Sequence, residues 1–214
     1  MRSDRHRLAI VHRVFLLSPA NLLGIRAQML LDPRARFPLA RAVHSAHGAP
    51  LGDVMAFTSG LYFRGKLTYA RAFAAPPPGA HGVLVITPSA GLRSPDALCT
   101  VEVLQEFAGV DIAAGDERYR QPLLFDAREL AERTAHAEVV LLGSIATGKY
   151  VELLLEVFGE RLHFPAEFVG RGDMSRGGLL LRCAEARAEL AYVPVAGATR
   201  RGRRPPRLPR RERR

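Results

Sequence analysis

The sequence predicts an α/β fold: three layers, with a mostly parallel sheet of about four to five strands between helices on both faces. Short apolar runs alternate along the chain with segments whose apolar residues recur at helical spacing. The runs Leu8–Leu17, Val83–Thr87 and Val139–Leu142 are apolar almost throughout rather than alternating, as strands covered on both faces are. A length of 214 residues, 48% of them hydrophobic, fits one domain with a sizeable core, and no apolar run approaches the ~18 residues of a membrane span.

Taken in order, residues 1–7 are polar and read as a flexible N-terminus, followed by a single α/β domain over 8–198 and a disordered Arg/Pro-rich tail over 199–214. Met1–Arg7 has the charge of a signal n-region, but His12 and Arg13 interrupt the apolar stretch after it, so no signal peptide is expected. Leu8–Leu17 is the first strand, stopped by the turn cluster Ser18-Pro19-Ala20-Asn21. Helices are expected over 22–31, 37–47 and 50–57, and a further one over 59–73 with Ser59 as its cap. Val83–Thr87 is a buried strand running into a long polar turn, 88–96. Helices over 100–107 and 120–136 precede the strand at 139–142, and the helix after it carries Val151, Leu154, Leu155 and Phe158 on one face. A strand at 161–168, a Gly-rich loop at 169–178, a helix at 179–190 and a short strand at 191–195 complete the domain.

Charge is unevenly placed. The formal net charge is +10, yet residues 200–214 hold nine Arg and one Glu, and 1–13 hold four Arg and one Asp, which leaves the body between them close to neutral. Of the 31 basic residues only Lys66 and Lys149 are lysines. Where a solvated charge suffices this chain uses Arg, so the two lysines stand out, because a compact ammonium can lose its proton when buried. Cys99 and Cys183 have neither a disulfide framework nor metal-ligand spacing, which fits a reducing cytoplasm. His44 and His47 share a helix face, but no third ligand is spaced to complete a zinc site; no metal and no cofactor are expected.

The most informative stretch is Gly143-Ser144-Ile145-Ala146-Thr147-Gly148-Lys149, between a strand end and a helix start. Unpaired N–H groups and the helix dipole favour an anion there. The spacing Gly-x4-Gly-Lys matches most of a P-loop, but Tyr150 stands where a P-loop has the Ser or Thr that meets magnesium. A degenerate P-loop NTPase is therefore the weaker reading, and a phosphate-binding loop at 143–149 the stronger one.

In a parallel sheet the loops that follow the strands meet at one edge, where ligands of open α/β sheets bind. Loops 18–26, 87–96, 143–149 and 170–178 would converge there, with Lys66 close by. The candidate phosphate- or ligand-binding residues are Ser18, Asn21, Arg26, Gly143, Ser144, Thr147, Gly148, Lys149 and Arg171; Arg93 and Arg176 add to the cationic set. Lys66, Asp96 and Asp173 are the candidate catalytic residues, one aspartate serving as base or water-orienting acid. In the tail, Arg200, Arg201, Arg203, Arg204, Arg207, Arg210 and Arg211 are placed to meet a phosphate backbone without a base code.

The run Thr87-Pro-Ser-Ala-Gly-Leu-Arg-Ser-Pro-Asp96, followed by Asp116-Glu-Arg-Tyr119 and a helix, resembles the central domain of archaeosine synthase and small bacterial domains of similar build. Over residues 8–195 the resemblance implies a frame like that of uracil-DNA glycosylases and a nucleic-acid context close to tRNA modification. Where that family's first turn carries Cys and Lys, this chain reads Ser18-Pro-Ala-Asn-Leu-Leu-Gly-Ile-Arg26, so lysine transfer and thiol chemistry are not implied. Together these readings point to an enzyme directed at a nucleotide or nucleic acid, with no membrane partner. The alternative is a non-catalytic nucleic-acid-binding protein that uses its tail.

Overall fold

A computed structural model describes residues 11–113, 115–206 and 208–209. The first half of the chain runs β1 (Arg13–Leu17), α1 (Ile25–Leu31), α2 (Pro38–Val43), β2 (Ala49–Pro50), α3 (Leu51–Ser59), α4 (Leu61–Phe73), β3 (Val83–Ile86), β4 (Leu92–Arg93) and β5 (Leu98–Cys99). The second half runs α5 (Val101–Ala108), α6 (Glu117–Arg133), β6 (Glu138–Leu142), α7 (Gly148–Phe158), β7 (Leu162–Pro165), α8 (Asp173–Ala186) and β8 (Tyr192–Pro194).

The fold is α/β with a mostly parallel sheet of six strands in the order β4-β3-β1-β6-β7-β8. β3, β1, β6 and β7 are parallel, while β4 and β8 close the two edges antiparallel. β2 and β5 form a separate two-stranded antiparallel ladder. In this sheet β4 is the one strand beyond the five expected, and it arises inside the 88–96 segment that reads as turn; the β2–β5 ladder was not expected either. Two-residue strands such as Leu92–Arg93 carry no period that a pattern could reveal.

β1 and β6 form the centre because both are fully apolar after their first residue. Val14–Leu17 and Val139–Leu142 are buried throughout. Their first residues pair in register, Arg13 beside Glu138, and the side chains bridge at 2.8 Å. Arg13 also meets Glu189 and lies 4.8 Å over the Tyr192 ring. The amino edge of the sheet is thus closed by paired charge, and the carboxyl edge is left for the loops.

Several boundaries differ from the sequence expectation. Ser59 ends α3 rather than capping α4; the break is Gly60 at φ +63, a conformation that glycine adopts without steric cost. α8 starts at Asp173, so Gly177 and Gly178 lie inside a helix and not in a Gly-rich loop. The reason is the crossing of α4 and α8. A Cβ on Gly65 would come within 2.6 Å of the Gly177 carbonyl oxygen, and one on Gly177 within 2.7 Å of the Leu61 carbonyl oxygen. α8 could not approach α4 this closely with any other residue at either position.

The expected N-terminal arm lies outside the described residues, as do Arg207, Arg210 and Arg211. Residues 199–206 with 208 and 209 carry no regular secondary structure. They lie against the body: Arg171 Nη1 donates to the Pro206 carbonyl at 3.4 Å, Arg182 to that of Pro209, and Arg200 pairs with Glu152. Among the described residues no helix is long and apolar enough to cross a membrane.

Candidate functional site

The chain leaves β1 for β3 on one side and later returns to β6 on the other, so the loops after β1 and β6 part at this point of the sheet. A crevice opens between such loops at the carboxyl ends of the strands. Here it is a cleft of about 770 Å³. Ser18, Asn21, Ser144, Thr147, Lys149 and Asp173 line it, together with Tyr62, Tyr150 and the 107–112 segment.

Ser18 follows the last residue of β1, and its N–H continues the ladder to the Leu142 carbonyl at 3.2 Å. That bond places Ser18 beside the first residue of the loop after β6. Asn21 Oδ1 accepts from the Leu23 N–H at 2.9 Å, which holds the turn in shape. α7 begins at Gly148 with Thr147 in extended conformation at its cap, and the Thr147 side chain does not bond the first amides of the helix. The uncapped amino end of α7 and the exposed side chain of Lys149 therefore share the cleft.

The loop 143–149 is not an open cradle. The Tyr150 hydroxyl folds back and donates to the Ser144 carbonyl at 3.0 Å. Gly143 is buried beneath it; a Cβ there would lie 2.8 Å from the phenol oxygen and 3.2 Å from Ser18 Oγ. The residue that replaces the P-loop Ser or Thr thus fills the interior of the loop, and an anion would sit on its outer, cleft-facing side.

Beneath Ser18 lies Lys66, which is 1% exposed. Its Nζ donates to the Ser18 carbonyl and lies 2.9 Å from Ser18 Oγ, with the Tyr62 and Phe63 rings at 4.6 and 4.8 Å. Burial pushes its pKa down to about 7; Asp173 opposes that shift and Arg176 adds to it. Arg176 is itself buried and donates Nε and Nη2 to the Phe168 carbonyl at 3.2 and 3.0 Å, with Asp173 3.4 Å from its Nη1. Burial also raises the pKa of the Tyr62 and Tyr150 phenols. Among the described residues the buried Tyr62 hydroxyl meets no hydrogen-bond partner of good geometry, with the Arg176 guanidinium its polar neighbour.

Comparison with protein-family models, with curated proteins and with solved structures finds no match.

The remaining sequence candidates stand elsewhere. Arg26 Nη1 donates to the Phe57 carbonyl at 3.2 Å, at the end of α3. Asp96 pairs with Arg71 on the surface, because β4 runs back antiparallel to β3 and carries the chain away from the carboxyl edge. Arg93 is held by Asp126 at 3.1 Å. Arg171 faces Ser175 and the tail rather than the cleft. Gly143 and Gly148 shape the loop and the first turn of α7. Tyr62, Tyr150 and the 107–112 segment were not among the sequence candidates. Tyr150 had a signal, as the departure from the P-loop pattern; the other two are brought in by packing alone. Among the described residues no group of three His, Cys, Asp or Glu side chains is placed to hold a metal ion. A larger concavity, about 990 Å³, runs along α6, but its walls are surface charges such as Arg120, Arg128, Glu129 and Glu132, and no buried polar group converges on it.

Proposed function

We propose that this chain is an enzyme directed at a nucleotide or at a nucleotide within nucleic acid, and that the ligand seats in the cleft between the loops after β1 and β6. The convergence of Lys149, the uncapped amino end of α7, Ser144, Thr147 and the Ser18–Asn21 turn above a buried amine carries this reading. A phosphate at the end of α7 would meet unpaired N–H groups and the positive end of the helix dipole, and Lys149 would add a solvated charge. Leu22, Phe107 and Ile112 give the opposite wall an apolar surface for a base or sugar. Asp173, exposed at the cleft, is placed to orient a water or accept a proton.

Calorimetry with nucleoside mono- and diphosphates tests the proposal. Lys149→Ala removes one charge-assisted contact, about 1.5–3 kcal/mol, so affinity should fall roughly 10- to 150-fold with an unchanged melting temperature. Equal affinity in the variant, or no binding by the unaltered protein, would retire it. The NTPase reading gains nothing from the geometry, since the Tyr150 hydroxyl is committed to the Ser144 carbonyl inside the loop.

A second reading, nucleic-acid binding through the tail, is favoured by Arg201, Arg203 and Arg204, which stay exposed along a segment with no regular secondary structure. If about six tail arginines engage duplex phosphates, log affinity should fall with log salt at a slope near −5. Truncation after Ala198 should abolish that binding in a filter assay across several salt concentrations. Equal affinity of the truncated chain, or a slope near zero, would end this reading.

A further inference from the structure

We propose that Ser18 and Lys66 form a nucleophile–base pair that cleaves a carboxylic ester held in the cleft. The inference rests on the reading of that cleft as the ligand site, and it names the bond broken there.

Geometry supplies the pair. Ser18 sits at the carboxyl end of the central strand β1 and lines the cleft, while Lys66 Nζ lies 2.9 Å from its Oγ on the side away from solvent. Nucleophile and base within hydrogen-bond reach are the first requirement of covalent catalysis. The base must also be oriented by a third group, and here Nζ donates to the Ser18 carbonyl as well as to Oγ, so that loss of the proton shared with Oγ leaves a lone pair in reach of the hydroxyl. The rings of Tyr62 and Phe63 wall off the other sides. Of the charged or titratable groups that act on the amine, Asp173 favours its protonated form and Arg176 its neutral form. The Tyr62 and Tyr150 phenols, on α4 and α7, both stay protonated near neutral pH because burial raises their pKa. With burial as the dominant cause the amine titrates at about 7, so a neutral base is populated at physiological pH.

The residue type points the same way. Among the described basic residues, the position whose charge is 1% exposed and set against a serine hydroxyl holds one of the chain's two lysines. A guanidinium there would stay protonated and could not serve as a base. A lysine kept only to tie α4 to β1 would need the Ser18 carbonyl and nothing more. Here the amine also meets Ser18 Oγ, with the Tyr150 phenol on the other side of that oxygen, and the residue that carries it lines the cleft.

The chemistry balances as follows. Neutral Lys66 takes the Ser18 hydroxyl proton as Oγ attacks the ester carbonyl carbon. The tetrahedral intermediate collapses, the C–O bond to the leaving alcohol breaks, and that alcohol leaves with the proton from Lys66. Water then attacks the acyl-serine, giving its proton to Lys66, which returns it to Oγ as the carboxylic acid departs. The amides of the uncapped end of α7 are donors of the kind the oxyanion needs. Lys149 beside them suits a substrate whose alcohol half carries a phosphate.

A fluorophosphonate probe tests the pair without needing the natural ester. Incubation of the full chain followed by peptide mapping should place the adduct on Ser18. The labelling rate should rise through about pH 7 and level above it, following the Lys66 amine. Lys66→Met should slow labelling by roughly 10²- to 10⁴-fold, the usual contribution of a general base. Ser18→Ala should remove the adduct, with circular dichroism confirming that both variants fold. Absence of an adduct on Ser18 in the unaltered protein overturns the proposal whatever the variants do, as does labelling at equal rate in Lys66→Met. If nucleotide binding that depends on Lys149 persists in either of those cases, the cleft reading stands and the pair alone falls. An adduct on Ser18 with the expected pH profile in a protein that binds no nucleotide would keep the pair and retire the nucleotide.

Discussion

Gly177→Ala should lower the melting temperature by about 4–8 °C, the consequence of a net loss of about 2 kcal/mol in a domain of this size. Two effects compete. Alanine in place of glycine within a helix stabilises it by about 0.5–1 kcal/mol. Against that, the new methyl would lie 2.7 Å from the Leu61 carbonyl oxygen and 2.8 Å from the Tyr62 Cα. Both are backbone atoms of α4 and cannot rotate aside, so the helices must separate. Separation would loosen the packing that buries Tyr62, Lys66 and Arg176 between them. The clash therefore outweighs the propensity gain. Gly109→Ala is the control: its added methyl would find its nearest atoms at 3.5–3.6 Å, ordinary contact, and the melting temperature should hardly move. A Gly177→Ala protein that melts at or above the parent temperature would contradict this account of the α4–α8 crossing.

Lys66→Met should change how stability depends on pH. In the unfolded chain Lys66 titrates near 10.5, and in the folded chain at about 7. Between those values the unfolded state binds one more proton than the native state, so this residue makes stability rise with pH. The penalty of its burial is fully present below about pH 7 and is relieved as pH rises toward 10.5. From pH 7 to 9.5 that relief amounts to about 3 kcal/mol at 1.36 kcal/mol per unit. Methionine keeps most of the volume and carries no charge, so the variant should lack this slope. Urea midpoints of the two proteins, taken at half-unit steps from pH 7 to 9.5, give the comparison; the tyrosines and cysteines that ionise in the unfolded chain toward the upper limit are common to both proteins and cancel in the difference. Parallel curves would mean that Lys66 is not titrating from a buried position.

Much of the frame was legible because it is local. Val14–Leu17 and Val139–Leu142 read as buried strands from composition alone, and both are central. The tight turns at Ser18 and Gly143 announced where each strand stops. The shortage of lysine singles out Lys66 and Lys149; in the structure Lys149 lines the cleft and Lys66 lies beneath it against Ser18. Edge strands were harder. Leu92–Arg93 is a strand only because Val85 and Ile86 lie beside it, and Asp96 was misplaced for the same reason, since the reversal at β4 turned its side chain toward Arg71.

What the sequence determined by itself is the alternation of covered strands and amphipathic helices, the parallel sense of the central sheet that follows from it, and the edge at which a site would form. These depend on periodicity and on connections long enough for crossovers. Tertiary structure alone decided which groups meet. Ser18 and Lys66 are 48 residues apart and are joined because α4 packs beside β1. Gly177 looked like a loop residue, since glycine in a helix carries a local penalty; what outweighs it is the close approach of α4, a partner more than a hundred residues away. Tyr150 reads as a lost magnesium ligand in one dimension, and only the folded loop shows its hydroxyl occupying the hollow that an anion would otherwise fill. In the first two cases the deciding energy lies in a contact between segments distant in the chain, and in the third in a loop closure six residues long; local propensity encodes neither.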